Sequence, residues 1–191
     1  MSTELDYGEM LRSSFKASIR RDNPLILLTA GALLVFGTAV TGGILVGPLA
    51  VSLAWVGLRA ARGQSLRWED LRHGFDRFVP AFVAGLGYLL AVVVGSLLLV
   101  VPGVVAAFVL SLAFLIVADT SSTGVDALTS AVRMVRERPG PVAVWAVLVA
   151  LLVAVASLVP VLGSVVGAGI AAVFTGQFYR LWRKQPEVVA A

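Results

Sequence analysis

Residues 78–118 read FVPAFVAGLGYLLAVVVGSLLLVVPGVVAAFVLSLAFLIVA, 41 positions without an Asp, Glu, Lys, Arg or His. One helical crossing of a hydrocarbon core of ~30 Å takes ~20 residues, with a range of ~17 to 25. The stretch is too long for one crossing and about right for two joined by a turn. Val101-Pro102-Gly103 marks that turn, since proline ends one helix and fits the first turn of the next. Two more uncharged blocks have the same character, Asn23 to Leu58 (36 residues) and Pro139 to Tyr179 (41 residues).

The rest of the sequence agrees. Of 191 residues, 59% are hydrophobic and 14% charged, where a soluble globular chain carries about 25% charged. All 15 basic residues lie outside the blocks: Arg12, Lys16, Arg20 and Arg21 before the first; Arg59, Arg62, Arg67, Arg72 and Arg77 after it; Arg133, Arg136 and Arg138 after the second; Arg180, Arg183 and Lys184 at the end. If each block is a hairpin, every basic residue falls on one side and the tips carry none. The positive-inside rule then puts both termini and both long loops in the cytoplasm. The net charge of +4 follows from this topology and carries no nucleic-acid signal. Without cysteine, disulfide and thiol chemistry are excluded. The apolar run from Leu25 far exceeds a signal h-region, so it is expected to stay as an anchor in an inner (plasma) membrane.

The expected fold is thus an all-α integral membrane domain at 24–181 with six transmembrane helices as three hairpins. A cytoplasmic leader at 1–23 precedes it and a cytoplasmic tail at 182–191 follows. The spans are about 24–41, 44–60, 79–100, 102–118, 140–158 and 161–181. Tips are expected at Gly42 and Gly43 with Pro48, at Pro102 and Gly103, and at Pro160 with Gly163. Arg59, close to the end of a short second span, is expected to snorkel to the headgroups. A block of this length also fits a wedge that enters and leaves one leaflet. Burying the wedge's turn in hydrocarbon leaves amides unpaired, which favours spanning.

Pro24, Pro80 and Pro139 open the blocks while Pro48, Pro102 and Pro160 mark their tips, suggesting a threefold repeat. A charged amphipathic helix is expected at the interface ahead of each hairpin. Leu11, Phe15 and Ile19 form the first stripe; Trp68, Leu71, Phe75 and Phe78 the second; Val125, Leu128, Val132 and Val135 the third. In the second, Trp68, Leu71, Phe75 and Phe78 should reach the headgroup region, with Arg67, Arg72 and Arg77 facing water or anionic lipid. Thr123 to Asp126 has capping-box spacing, which starts a helix near Gly124.

The apolar blocks hold no ionisable group, which argues against a proton-coupled pump or charge-selective pore. Their polar side chains are Thr29, Thr38, Ser52, Tyr88, Ser96, Ser111, Ser157, Ser164, Thr175 and Gln177, and a Ser or Thr hydroxyl there is expected mostly to bond the backbone. Gly43 and Gly47, and Gly163, Gly167 and Ala171, have the spacing that lets helices approach closely, within one chain more readily than between two. Glu69, His73 and Asp76 recur at i, i+4 and i+7, but Arg72 with Asp76 and Glu69 with His73 make equally good surface pairs. A solvated face is therefore expected over a metal site. Neither a catalytic constellation nor a cofactor motif is present, so no cofactor is expected.

Gly47-Pro48, Ala61-Arg62-Gly63, Asp70-Leu71, Gly74-Phe75, Val101-Pro102-Gly103, Asp119, and Ala127-Leu128 with Ser130 resemble a broad family of poorly characterised bacterial and archaeal six-span proteins. That family includes the membrane domain attached to some glycerophosphodiester phosphodiesterases. The resemblance covers about residues 45–138 and implies a helical membrane domain without transferable catalytic residues. The functional expectation is a non-enzymatic scaffold or accessory in envelope or lipid homeostasis. Its partners would be the bilayer, anionic lipid at the cytoplasmic face and an unidentified membrane protein. The alternatives are a transporter of a neutral or lipid-like small molecule and a membrane-bending hairpin protein.

Overall fold

The computed structural model describes residues 7–18, 23–156, 158–159 and 162–183. Among them the chain is helical with no strand. The helices are α1 (Tyr7–Ser18), α2 (Asn23–Val40), α3 (Val46–Ala61), α4 (His73–Asp76), α5 (Phe78–Leu98), α6 (Val100–Asp119), α7 (Gly124–Glu137), α8 (Pro139–Ala156) and α9 (Leu162–Arg183). A 3₁₀ turn, Trp68–Arg72, leads into α4. The limits of α2, α3, α5, α6, α8 and α9 lie within two residues of the six expected spans.

Three stretches are long and apolar enough to cross a membrane: Phe78–Leu98, Pro102–Asp119 and Pro139–Ala156. The six full-length crossings expected from the blocks are thus reduced to three. The first block loses length to a five-residue turn at 41–45, which leaves α3 with 16 residues, or ~24 Å of helix. α2 is likewise among the shorter apolar helices. α9 is long enough at 22 residues, but Gln177, Arg180 and Arg183 make its last two turns polar.

The tips also move. Gly42 and Gly43 do form a turn, with left-handed φ of 59° and 88° that a side chain would resist. Pro48, however, is the third residue of α3, and Pro102 and Gly103 lie inside the first turn of α6. The break between α5 and α6 is the single extended residue Leu99. Proline's missing N–H is harmless in a first helical turn, so the prolines sit just past the tips. Gly163 stands near the start of α9, while Pro160 lies outside the described residues, as does Ile19 of the first stripe.

α3 is the hub. It packs against α2, α4, α5, α6 and α9, and 13 of its 16 residues are buried. Glycines permit this closeness: a methyl at Gly47 would meet the Ala81 carbonyl and Gly85 of α5, and one at Gly57 would meet Ala172 of α9. Gly163 and Gly167 press on Ala156 of α8 in the same way. Gly43 instead lies in the turn beside Leu89, so it contributes to no helix crossing. By contrast α5 and α8 are peripheral, with 17% of the residues in each crossing stretch buried by protein.

Candidate functional site

The basic end of the bundle is where α3, α6 and α9 finish, and helix C-termini leave carbonyls without intrahelical donors. Side chains from elsewhere in the chain satisfy them. Arg77 donates to the Val117 and Thr120 carbonyls and His73 Nε2 donates to the Ala118 carbonyl at 2.9 Å, both closing α6. Thr120 Oγ1 donates to Ile116 O at 2.6 Å. Arg180 donates to Ala61 O at 2.8 Å and so closes α3. Cations at these positions also oppose the negative end of each helix dipole.

Two carboxylates complete the arrangement. Asp70, 6% exposed, pairs with Arg59, accepts from Trp55 Nε1 at 3.4 Å, and accepts from its own turn's Arg67 N–H at 2.8 Å. Asp119 joins the ends of three helices, one oxygen bound to Arg62 at the C-cap of α3 and the other to Arg183 of α9 at 2.7 Å. Its side chain is 6% exposed. Arg183 stays cationic: Tyr179 beside it, and then the hydrogen bond to Asp119, push its guanidinium above the ordinary value. Between the carboxylates the Trp55 and His73 rings stack 4.1 Å apart. Gly74 donates from its N–H to Ser52 Oγ at 3.0 Å and lies so close to α3 that a methyl would strike the Pro48 carbonyl.

This geometry corrects several expectations. Arg59 pairs with Asp70 and needs no snorkel. Arg77, half-buried, donates to the end of α6, which lies beside it, and so is not turned wholly outward. His73 likewise turns inward, away from Glu69, and no group of three or more His, Cys, Asp and Glu that could hold a metal occurs among the described residues. The expected single helix carrying Trp68 to Phe78 is a 3₁₀ turn, a short α4 and the start of α5. Trp68 (59%), Phe75 (44%) and Phe78 (43%) are exposed, Leu71 is half-buried, and Arg67 and Arg72 are exposed. In α7 the packed face is Gly124, Ala127, Ala131 and Met134, one residue back from the expected stripe; Val125 is exposed and Leu128, Val132 and Val135 are half-buried. Small residues let α7 lie close on α5, with Gly124 against Pro80 and Ala84. Its N-terminus is capped by Thr123, which accepts from Asp126 N–H at 3.2 Å.

A second feature lies deeper. A cavity of about 350 Å³ is lined by residues of all six helices of the hairpins, about halfway along most of them, among them Leu34, Ala54, Tyr88, Phe114, Trp145 and Ala171. No lining residue is charged. The carboxylates of the basic end were legible only as isolated Asp-containing motifs, because their arginine partners stand up to 64 positions away. The cavity left no sequence signal beyond the three hydroxyls already noted, Tyr88, Ser111 and Thr175.

Comparison with known protein families, with curated proteins and with solved structures finds no match for this chain.

Proposed function

We propose that this chain is a multi-pass inner-membrane protein whose six apolar helices form three hairpins with both ends in the cytoplasm. Its role is that of a non-enzymatic accessory in envelope or lipid homeostasis. The observation that carries this reading is the basic end. Exposed Trp68, Phe75 and Phe78 sit next to exposed Arg67 and Arg72, on a segment fastened to the bundle through Asp70, His73 and Gly74. Such a segment buries apolar side chains among headgroups while its arginines meet anionic phosphates. The family resemblance around residues 45–138 adds a link to lipid-headgroup proteins, and several of its residues, Arg62, Asp70, Gly74 and Asp119, are those that build the fastening.

The short α3 fits six passes because protein, not lipid, surrounds it. Topology is testable without background, as the chain has no cysteine. Single cysteines at Ile44, Leu99 and Leu158, all well exposed near the tips, should react with an impermeant thiol reagent on intact spheroplasts. Cysteines at Ser65 and Ser122 should react after the membrane is opened. Unreactive tips with normally behaving loops would replace six passes by a wedge. For the role itself, gene deletion should alter lipid composition or permeability; an unchanged envelope with loss of uptake of one solute would count against it.

The cavity favours a second reading, passage of a neutral or lipid-like molecule. Flux in proteoliposomes tests it.

A further inference from the structure

The cavity has the dimensions and lining of a site. An apolar cavity of ~150 Å³ stays dry and takes up benzene, and small-molecule pockets begin at ~300 Å³. At about 350 Å³ and without a charged wall, this one is large enough for a ligand and offers water few partners. Its polar groups are unevenly used. Ser111 Oγ donates to Phe108 O and Thr175 Oγ1 to Ala171 O, both at 2.7 Å, so their protons are committed and lone pairs remain. The Tyr88 hydroxyl, in contrast, makes no hydrogen bond among the described residues, although its ring packs on Phe114 at 5.3 Å. Trp145 is 1% exposed and its Nε1–H is buried without an acceptor among the described residues. Of the cavity's lining hydroxyls, that of Tyr88 therefore stands uncommitted, and an unmet donor in an apolar setting is costly.

We propose that this cavity binds a neutral lipid, an uncharged, hydrocarbon-rich molecule whose hydroxyl or carbonyl oxygen accepts a hydrogen bond from Tyr88. The inference rests on the membrane-embedded reading of the fold and deepens the second functional reading; it is independent of the accessory role. An ionised headgroup is excluded, because no counter-charge lines the site and a bare charge halfway through a bilayer is expensive. The bilayer is the source. α8 packs on α9 and touches α7, while it meets α6 through the edge-on rings of Phe108 and Trp145, 6.4 Å apart. That seam between the second and third hairpins is the way in from lipid.

The test uses the full chain in nanodiscs with two probes of equal length, 1-hexadecanol and n-hexadecane. A variant carrying Trp55→Phe, Trp68→Phe and Trp182→Phe keeps Trp145 as the sole tryptophan, excited at the red edge where tyrosine does not absorb. Hexadecanol should shift its emission saturably, and hexadecane should bind about tenfold more weakly, the factor that ~1.4 kcal/mol gives. Tyr88→Phe should erase that difference. Ala107→Leu on α6 and Ala168→Leu on α9, both lining the cavity, should each abolish saturation. Native mass spectrometry of wild type loaded with hexadecanol gives an independent readout, one retained molecule, that holds if the triple variant does not fold. A linear response to both probes with no retained adduct overturns the proposal, as does saturation that neither Tyr88→Phe nor the two leucines changes. Equal binding of palmitate at alkaline pH would overturn neutrality. Saturable binding without flux upholds the site and removes the passage reading, whereas a chain that stays monodisperse in water without detergent or lipid refutes the membrane premise itself.

Discussion

α3 and α5 are neighbouring apolar helices, yet they meet opposite surroundings. α5 has 21 residues, no charge, and few positions covered by protein. α3 has 16, is buried along most of its length, carries Ser52, Trp55 and Arg59, and ends on Arg62 as its C-cap. The difference teaches that length and uniform apolarity go with a helix left uncovered by its own chain, while a helix wrapped by that chain can be short and hold polar groups. Each polar group of α3 then needs a protein partner: Ser52 has Gly74, Trp55 and Arg59 have Asp70, Arg62 has Asp119. The loosely covered helices and the tightly fastened hub should accordingly respond to substitution on very different scales.

The largest response is expected from Gly57→Val. The new side chain would enter the Ala172 backbone of α9, which cannot give way as a flexible side chain would. A loss of about 3 kcal/mol, near the top of the usual range for overpacking, should appear as aggregation or a strongly lowered thermal midpoint in detergent. Leu90→Val on α5, at a position 58% exposed, should leave that midpoint nearly unchanged. Equal sensitivity of the two helices would break the comparison.

Next come the carboxylates. Asp70→Asn removes the charge opposite Arg59 in a place where Asp70 is nearly buried and Arg59 mostly so. Breaking a buried pair by removing one partner costs ~3 to 5 kcal/mol, and about 3 is expected here because Arg59 keeps the Ser65 carbonyl. Asp119→Asn should cost less, ~1 kcal/mol, since Arg62 and Arg183 are part-exposed and water screens them. Chemical denaturation followed by fluorescence ranks the two; a larger effect at Asp119 would shift the weight of the fastening from the α4 segment to α9.

A smaller effect belongs to the tip. Gly42→Ala meets no neighbour, so its cost is the left-handed backbone alone, about 1 kcal/mol. The same thermal measurement should resolve it, and a stabilising result would show that the 41–45 turn has another conformation in solution.

Much of the helix layout was legible because charge and proline punctuate it: the blocks bounded by Arg21, Arg59, Arg77, Asp119, Arg138 and Arg180 are the hairpins. Packing was less so. Gly47 was noticeable for its spacing to Gly43, yet its partner is Gly85 on another helix, and spacing within a helix cannot name a partner across it. The stripe in α7 was displaced because apolar side chains mark a face that avoids water, whereas Gly124, Ala127 and Ala131 mark the face that permits contact. The same limit hid the fastening, since Arg62 and Asp119 are 57 residues apart and the sequence offers several other basic partners.

The smallest effect is expected where the sequence seemed richest in chemistry. Glu69, His73 and Asp76 recur at helical intervals, but that interval has meaning only on one continuous helix. Here Glu69 is in a 3₁₀ turn, where three residues make a turn, while His73 and Asp76 are in α4. The three therefore do not share a face, and His73 is spent on the Ala118 carbonyl and the Trp55 ring. Glu69 is exposed, and the carboxylate its segment uses for packing is the adjacent Asp70. Glu69→Ala should thus change stability by no more than ~0.5 kcal/mol, the usual span for a surface site, and Arg72→Ala likewise. His73→Ala, by contrast, should be clearly destabilising, because it strips both the α6 cap and the stacked ring. If Glu69→Ala and His73→Ala lowered the thermal midpoint equally, and added Zn²⁺ raised it in wild type but in neither variant, the two side chains would be working together after all and the inward assignment of His73 would fail.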